Sequence, residues 1–317
     1  EGFPEGATYE ISSDGEVVFT GGDSGPAEAS GQIKAIVNGE DRERVTFTIR
    51  ILDAEGGFLC GATTDVVAFD YSKSSAMVQP SIINTQEQLD FMRTATNKSN
   101  SIPRAGLEAL QATSTASLNF RHSPQEIVTV VPSGSNASEN AFRRDGQAAR
   151  AHALLWVVTG NSAHRDKALE ILNDWGHAFR DIVSTGSAAQ TELESAWALP
   201  VWLSAADILR YYNDGEANWD PVHMAAFNHF MEVLYNRATG AFGRNNNWGV
   251  SASFAAMAYG AWVGDKAVFN EGLANQLEKL DIMSEADGEI AEVCRDTWHP
   301  QYSVVTWTDS AALAYHQ

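Results

Sequence analysis

Two kinds of helical text alternate through most of this chain, and that alternation restricts the fold more than any other feature. Segments such as "AHALLWVVTG" and "SASFAAMAYGAWVG" are apolar on every side, whereas "DKALEILNDWGHAF" keeps its apolar residues on one face. A helix that is apolar all round must be surrounded by protein, and an amphipathic helix has one face in water. Alternation of the two kinds therefore calls for two concentric layers. The helical period begins near Asn84 with "TQEQLDFMRTAT" and continues through about nine segments to "YSVVTWTDSAALAYHQ". Short links between them make sequential helices antiparallel neighbours. The architecture that fits is mainly α: an α/α toroid, an incomplete barrel of antiparallel helical hairpins. An α-solenoid is the alternative, but it would show a fixed-period repeat, and none is visible.

Before Ser72 the text is different. "ATYEIS", "GEVVFTG", "GQIKAIV", "RVTFTIRIL" and "DVVAFDYS" are rich in β-branched and aromatic residues, and turns such as "SSDGE" and "VNGED" separate them. Residues 1–72 read as a small β module, "SKSSAMVQPS" as a linker, and residues 73–317 as the toroid domain. The β module is either a carbohydrate-binding addition or a lid.

With 44% apolar and 20% charged residues the chain is globular, and no apolar run is long enough to cross a bilayer. A net charge of −20 argues against nucleic acid and against anionic membranes as partners. Cys60 and Cys294 make no disulfide framework; they form one bridge or stay free. Sequons stand at Asn97 and Asn136, and no secretory signal starts at Glu1. The histidines show no metal-ligand spacing, so neither a metal nor another cofactor is expected.

Two stretches interrupt the helical text. In "GRNNNWGVS" three asparagines precede Trp248 at the start of the most apolar helix. One asparagine suffices as a cap. A second is then free to face a ligand at the positive end of the helix; the other reading is a loop with a single cap. The second stretch, "DGEIAEVCRDTWHPQYS", packs Arg295, Asp296, His299, Gln301 and Tyr302 close together around Trp298 and a helix-breaking proline. Arginine grips carboxylates with a two-pronged hydrogen bond, and histidine and tyrosine move protons when suitably placed. The bland reading is a surface loop with an Arg–Asp pair. In a toroid both stretches fall on the loops of one rim.

"NNWGVSASFAAMAYGAWVGDKAVFNEGL" together with "EVCRDTWHPQY" resembles the alginate lyase-like α/α-toroid polysaccharide lyases. "PRAGLEAL", "DGQAARAHALLWVVTGNSAHRDKALEILNDW" and "WLSAADILRYY" are similar to the earlier hairpins of that family. The resemblance runs from Val78 to Gln317 and leaves out the β segment. It implies cleavage of uronate polymers by β-elimination, with an Asn, a His, an Arg and a Tyr. The Asn corresponds to Asn247, with Asn246 beside it, and the Arg to Arg295. Tyr302, seven residues after Arg295, matches the Arg-to-Tyr spacing of the branch that reads Asn-Asn-His at the helix start. Here Asn247 fills that third position, and the histidine is His299, as in relatives reading "RDxxH".

On this reading Arg295, Asn247 and Asn246 neutralise the uronate carboxylate, and Tyr302 takes the C5 proton and protonates the leaving O4. His299 is a carboxylate contact or a second proton carrier. Trp248 and Trp298 are candidate sugar platforms, and Arg143, Arg144 and Gln301 are candidate contacts to neighbouring sugars. Arg150 belongs to the same basic stretch. Trp248 and Trp298 read equally as core, and the arginines as a solvated helix face. The expected partner is an acidic polysaccharide, alginate or glucuronan, and the expected location is secreted or periplasmic. Two other readings stand beside this one. One is a glycan-binding protein that has lost turnover. The other is a toroid hydrolase, which needs two carboxylic acids and would have to draw on Glu192, Glu194 or Glu289.

Overall fold

The computed structural model describes residues 4–14, 17–20, 24–27, 34–37, 44–67, 77–99, 101–284 and 289–317. The chain divides into two compact units, Glu1–Ser75 and Ala76–Gln317.

The first unit is β. Its described strands are β1 (Thr8–Ser13), β2 (Val17–Thr20), β3 (Ser24–Pro26), β4 (Lys34–Val37), β5 (Arg44–Leu52) and β6 (Phe58–Val67). β3, β1, β5 and β6 form one antiparallel sheet in that order, and β2 pairs with β4. The alternating "RVTFTIRIL" is β5, paired on both sides. The sequence suggested a last strand starting at Asp65. The strand instead starts at Phe58, because the Asp53 carboxylate and backbone fold "DAEGG" into a tight turn onto Gly57. The end of "DVVAFDYS" lies outside the described residues.

The second unit contains α1 (Gln86–Ala95), α2 (Ile102–Gln111), β7 (Ile127–Val130), α3 (Ala137–Thr159), α4 (Ser162–Ala178), β8 (Asp181–Ser184) and α5 (Ala189–Tyr211). It continues with α6 (Pro221–Ala238), α7 (Asn247–Val263), α8 (Lys266–Met283) and α9 (Trp298–His316). α3–α4, α5–α6 and α7–α8 are hairpins; α3, α5, α7 and α9 pack side by side in that order, and α4 packs on α6. This is the layering that the two helix types demanded. Every residue of α7 from Gly249 to Trp262 is buried. Its partner α8 buries Phe269, Gly272, Gln276, Lys279 and Met283, one stripe at helical spacing. Gly272 lets the two touch, since a Cβ there would sit 2.8 Å from the Met257 nitrogen. Rings of Phe142, Trp175, Phe179, Trp202 and Phe230 fill the space between α3, α4, α5 and α6, with centroids from 4.5 to 6.3 Å apart.

Asn136, Asn161, Asp220, Asn246 and Asp265 each accept a backbone N–H at a helix start. Asn136 also donates to the Thr129 carbonyl at 2.9 Å, so its sequon is occupied by a structural cap. The parallel pair β7–β8 was not read from the sequence; each strand has four residues, too few for a period. No described helix is long and apolar enough to cross a membrane. Cys60 and Cys294 are both free and exposed.

Two buried groups oppose each other in the acid range. Asp207 on α5 accepts from the Ser81 and Ile82 N–H groups at 2.8 and 2.9 Å, and burial pushes its pKa up to about 7. His152 on α3 meets His164 nitrogen to nitrogen at 2.7 Å, and burial, with that neighbour, lowers its pKa to about 4. From pH 4 to 7 native Asp207 keeps a proton that the unfolded chain has released, so its contribution to stability falls as pH rises. From pH 4 to 6.5 native His152 is neutral where the unfolded chain is charged, so its contribution rises with pH. Asp207→Asn removes the first trend and leaves the second. The melting temperature of this variant is expected to climb more steeply than that of the wild type between pH 4 and 6.5. Each pKa unit is worth about 1.4 kcal/mol. Parallel melting curves would show that native Asp207 is ionised.

Candidate active site

Because the hairpins are antiparallel, α3, α5, α7 and α9 run in one direction and their first turns meet at one end. There a closed ring of contacts joins α5, α7, α9 and the segment before α9. The Asn247 N–H donates to Glu292 Oε2 (3.0 Å), and Glu292 Oε1 accepts from Arg295 Nη1 (3.3 Å). Arg295 Nε lies 4.0 Å from Asp296 Oδ2, which accepts from His299 Nδ1 at 2.6 Å. The His299 ring meets Tyr302 edge to face, with centroids 6.4 Å apart, and Tyr302 packs on Trp197 at 5.1 Å. Trp197 Nε1 donates to Ser251 Oγ (3.1 Å), and the Ser251 hydroxyl donates to the Asn247 carbonyl (2.8 Å), which closes the ring.

The three asparagines divide three tasks. Asn245 Oδ1 accepts from the buried Lys279 ammonium at 3.1 Å. Asn246 is the cap, its side chain accepting from the Trp248 N–H at 3.0 Å. Asn247 is the first residue of α7; it is 1% exposed, and its Oδ1 has no hydrogen-bond partner among the described residues. A buried carboxamide with an unmatched oxygen is costly in a resting fold. Gly249 allows this packing, because a Cβ there would lie 1.9 Å from the Arg244 carbonyl oxygen.

Asp296 organises the opposite side. Its Oδ1 accepts the N–H groups of Trp298 and His299 at 2.8 and 2.9 Å, so it caps α9. The His299 N–H, then that of Trp298 and the imidazole, hold its carboxyl below the usual range. A carboxylate on Nδ1 keeps the proton there and leaves Nε2 as the lone-pair nitrogen. The sequence reading took Pro300 as a helix breaker and began the last helical segment at Tyr302. Pro300 instead lies in the first turn of α9, where no N–H is needed, and His299 and Tyr302 fall on neighbouring turns of one helix. The Asp296 partner is mainly His299 rather than Arg295.

Tyr302 is 41% exposed, and its hydroxyl makes no hydrogen bond to any described residue. Arg143 on α3 lies near it, with Cζ 5.9 Å from the Trp197 ring. Arg143 is held by Glu139 (2.6 Å) and by both oxygens of Glu194, and the Glu194 hydrogen bond raises its pKa most. Arg244 pairs with Glu192 at 3.0 Å and covers the Trp248 ring at 4.7 Å. Each of these arginines therefore carries its own carboxylate, and Glu192 and Glu194 are committed to ion pairs, which leaves a two-acid hydrolase without its pair. Trp298 is 65% exposed and Gln301 is exposed beside it on α9.

Arg144 stands apart from the ring. It stacks at 5.3 Å on Phe120 and approaches the buried Asp145 at 3.5 Å. Arg150 is turned inward toward Asp309 of α9, and burial lowers its pKa. Trp197, Ser251 and Glu292 were missed in the sequence. Trp197 and Ser251 sit inside helices whose apolar text reads as core, and only their one-turn distance from Glu194 and Asn247 gives them away.

Asn247, Arg295, His299 and Tyr302 thus stand at one end of a helical toroid, a fold that alginate lyases share. The sequence pattern of the family described as alginate lyase matches residues 82–316, and the chain belongs to that family. No curated protein matches the sequence. Among solved structures, alginate lyase A1-III from Sphingomonas species A1 is similar at 19% identity and a TM-score of 0.57, over 76% of this chain and 72% of that one. A variant of alginate lyase A1-III complexed with tetrasaccharide gives 16% and 0.58, over 75% and 72%. An alginate lyase from Bacteroides ovatus gives 14% and 0.56, over 75% and 77%.

Proposed function

We propose that the protein is a secreted or periplasmic polyuronate lyase that cleaves β-1,4-linked polymannuronate or polyglucuronate by β-elimination. The observation that carries this reading is the contact ring, in which Asn247, Arg295, His299 and Tyr302 are linked through Glu292 and Asp296. Family membership adds the reaction class, and the relative complexed with tetrasaccharide adds a carbohydrate chain as ligand.

The C5 proton of a uronate is weakly acidic until its carboxylate is neutralised. Arg295 and the Asn247 carboxamide form the clamp that takes up the charge of the enolate-like intermediate, with Asn246 fixing the helix start behind them. Tyr302 removes the C5 proton and returns one to O4. His299 contacts the carboxylate when its ring is doubly protonated, or carries the second proton through the Nε2 lone pair. Trp248, Trp298, Gln301 and Arg143 line neighbouring sugars, and Arg144 serves a more distant one. In mannuronate and glucuronate the C5 proton and O4 are on one face, so one tyrosine serves both. Polymannuronate and polyglucuronate should therefore be turned over faster than polyguluronate in an assay of each pure polymer. Faster loss of polyguluronate would assign the base and acid to two groups instead.

Asp296 positions His299. Asp296→Asn puts an amide donor beside Nδ1 and favours the opposite tautomer. We expect kcat to fall about tenfold or more and the pH profile of kcat/KM to shift, along with a lower melting temperature from the weakened α9 cap. A lower melting temperature with unchanged kcat and pH profile would reduce Asp296 to a cap.

A further inference from the structure

A second concentration of reactive side chains lies on α4, away from the contact ring. Glu170 and Asp174 stand one turn apart on that helix and are exposed. His122, from the segment between α2 and α3, lays its ring against them. Its Nε2 is 2.7 Å from Asp174 Oδ2, and its Nδ1 is 3.9 Å from Glu170 Oε1. The His122 side chain is only 8% exposed, and Nδ1 is buried with no hydrogen-bond partner among the described residues. One ligand-capable atom from each of the three residues lies within 4.8 Å of the others.

Proton counting makes this arrangement incomplete. An ionised Asp174 only accepts, so Nε2 carries the proton of a neutral ring and Nδ1 is a lone pair. That lone pair faces a second carboxylate across a gap too long for a hydrogen bond. Two electron-pair donors thus face each other, although the Lys167 ammonium, 3.3 Å from Glu170 Oε1, offsets part of the carboxylate charge. Either a second proton on the ring or a metal cation resolves this. Ligands about 2.1 Å from a tetrahedral zinc ion stand about 3.4 Å apart, so 3.9 Å requires only a small movement of the exposed Glu170. A carboxylate on the far nitrogen is also how metal-binding imidazoles are oriented.

We propose that His122, Glu170 and Asp174 form a zinc-class divalent cation site, with His122 Nδ1 and Glu170 as direct ligands and Asp174 fixing the ring through Nε2. Water completes the coordination. An imidazole among the ligands favours zinc over calcium or magnesium, which prefer all-oxygen sites. Lys167 Nζ lies 3.0 Å from Glu170 Oε2, so the metal competes with an ammonium for that carboxylate. The site lies outside the proposed catalytic groups, and its effect is on stability rather than turnover.

The test is calorimetric titration of chelator-stripped protein with Zn²⁺, together with melting curves. Wild type should bind one equivalent that His122→Ala and Asp174→Asn bind at least tenfold more weakly. Zinc should raise the wild-type melting temperature, reversibly with chelator, and should not raise that of either variant; Ca²⁺ should have no effect. Asp174 is exposed and its replacement nearly isosteric, so this variant reports even if His122→Ala fails to fold. Absence of zinc binding by wild type, or equal affinity in wild type and Asp174→Asn, would overturn the site and leave His122 as a doubly protonated ring between two carboxylates.

Discussion

Tyr302→Phe should lower kcat by about a thousandfold or more while leaving substrate affinity nearly unchanged. The substitution removes one oxygen and nothing else. The ring contacts with Trp197 and His299 remain, and the hydroxyl gives up no hydrogen bond to any described residue. The fold therefore has no reason to weaken, and the melting temperature should hold. What disappears is the group asked to carry a proton from C5 to O4, a role worth roughly two to four orders of magnitude. A loss confined to the transition state appears in kcat and not in KM. If the variant keeps most of its kcat, the base is His299 Nε2, and Tyr302 is a packing surface for the sugar.

Replacement of neighbouring asparagines should give opposite results at two adjacent positions. Asn246→Ala removes the side chain that accepts the Trp248 N–H, so it should cost about 1 kcal/mol of stability and leave activity per folded molecule intact. Asn247→Ala should lower kcat roughly a hundredfold or more, the usual scale for one preorganised donor facing a developing oxyanion. Its Oδ1 has no hydrogen-bond partner among the described residues, so truncation breaks no such bond of that atom. Measuring kcat and melting temperature on both purified variants separates the roles. A normal kcat for Asn247→Ala would leave Arg295 without that carboxamide and shift the clamp to Asn246.

The fold was legible because helix burial is written in composition. "SASFAAMAYGAWVG" has no polar stripe and is buried throughout, and "DKAVFNEGLANQLEKLDIM" has one and buries one face. Gly160 and Gly264 stop their helices in the left-handed conformation, as their positions after α3 and α7 imply. The strands were less legible. "FLCGATT" lacks alternation, so the first half of β6 is fixed by the Asp53 turn and by pairing with β5, which are tertiary facts. At the site, the residue types were visible but their pairings were not. Arg295 and Asp296 are adjacent in sequence, yet helix geometry gives Asp296 to His299 one turn on. Of three consecutive asparagines the residue types suggested one cap and one ligand-facing group; their separate partners, Lys279, Trp248 and Glu292, come from other turns and helices. Trp197 joins the site only because α5 lies between α3 and α7.

The central claim is that the chain breaks glycosidic bonds by elimination. Purified protein incubated with polymannuronate or polyglucuronate should generate reducing ends and near-ultraviolet absorbance together, in equal molar amounts, because each elimination leaves one new reducing end and one unsaturated uronate. Reducing ends without that absorbance would mean hydrolysis. Tight binding of the polymer with neither product would mean a glycan-binding protein, and either result would contradict the proposed lyase.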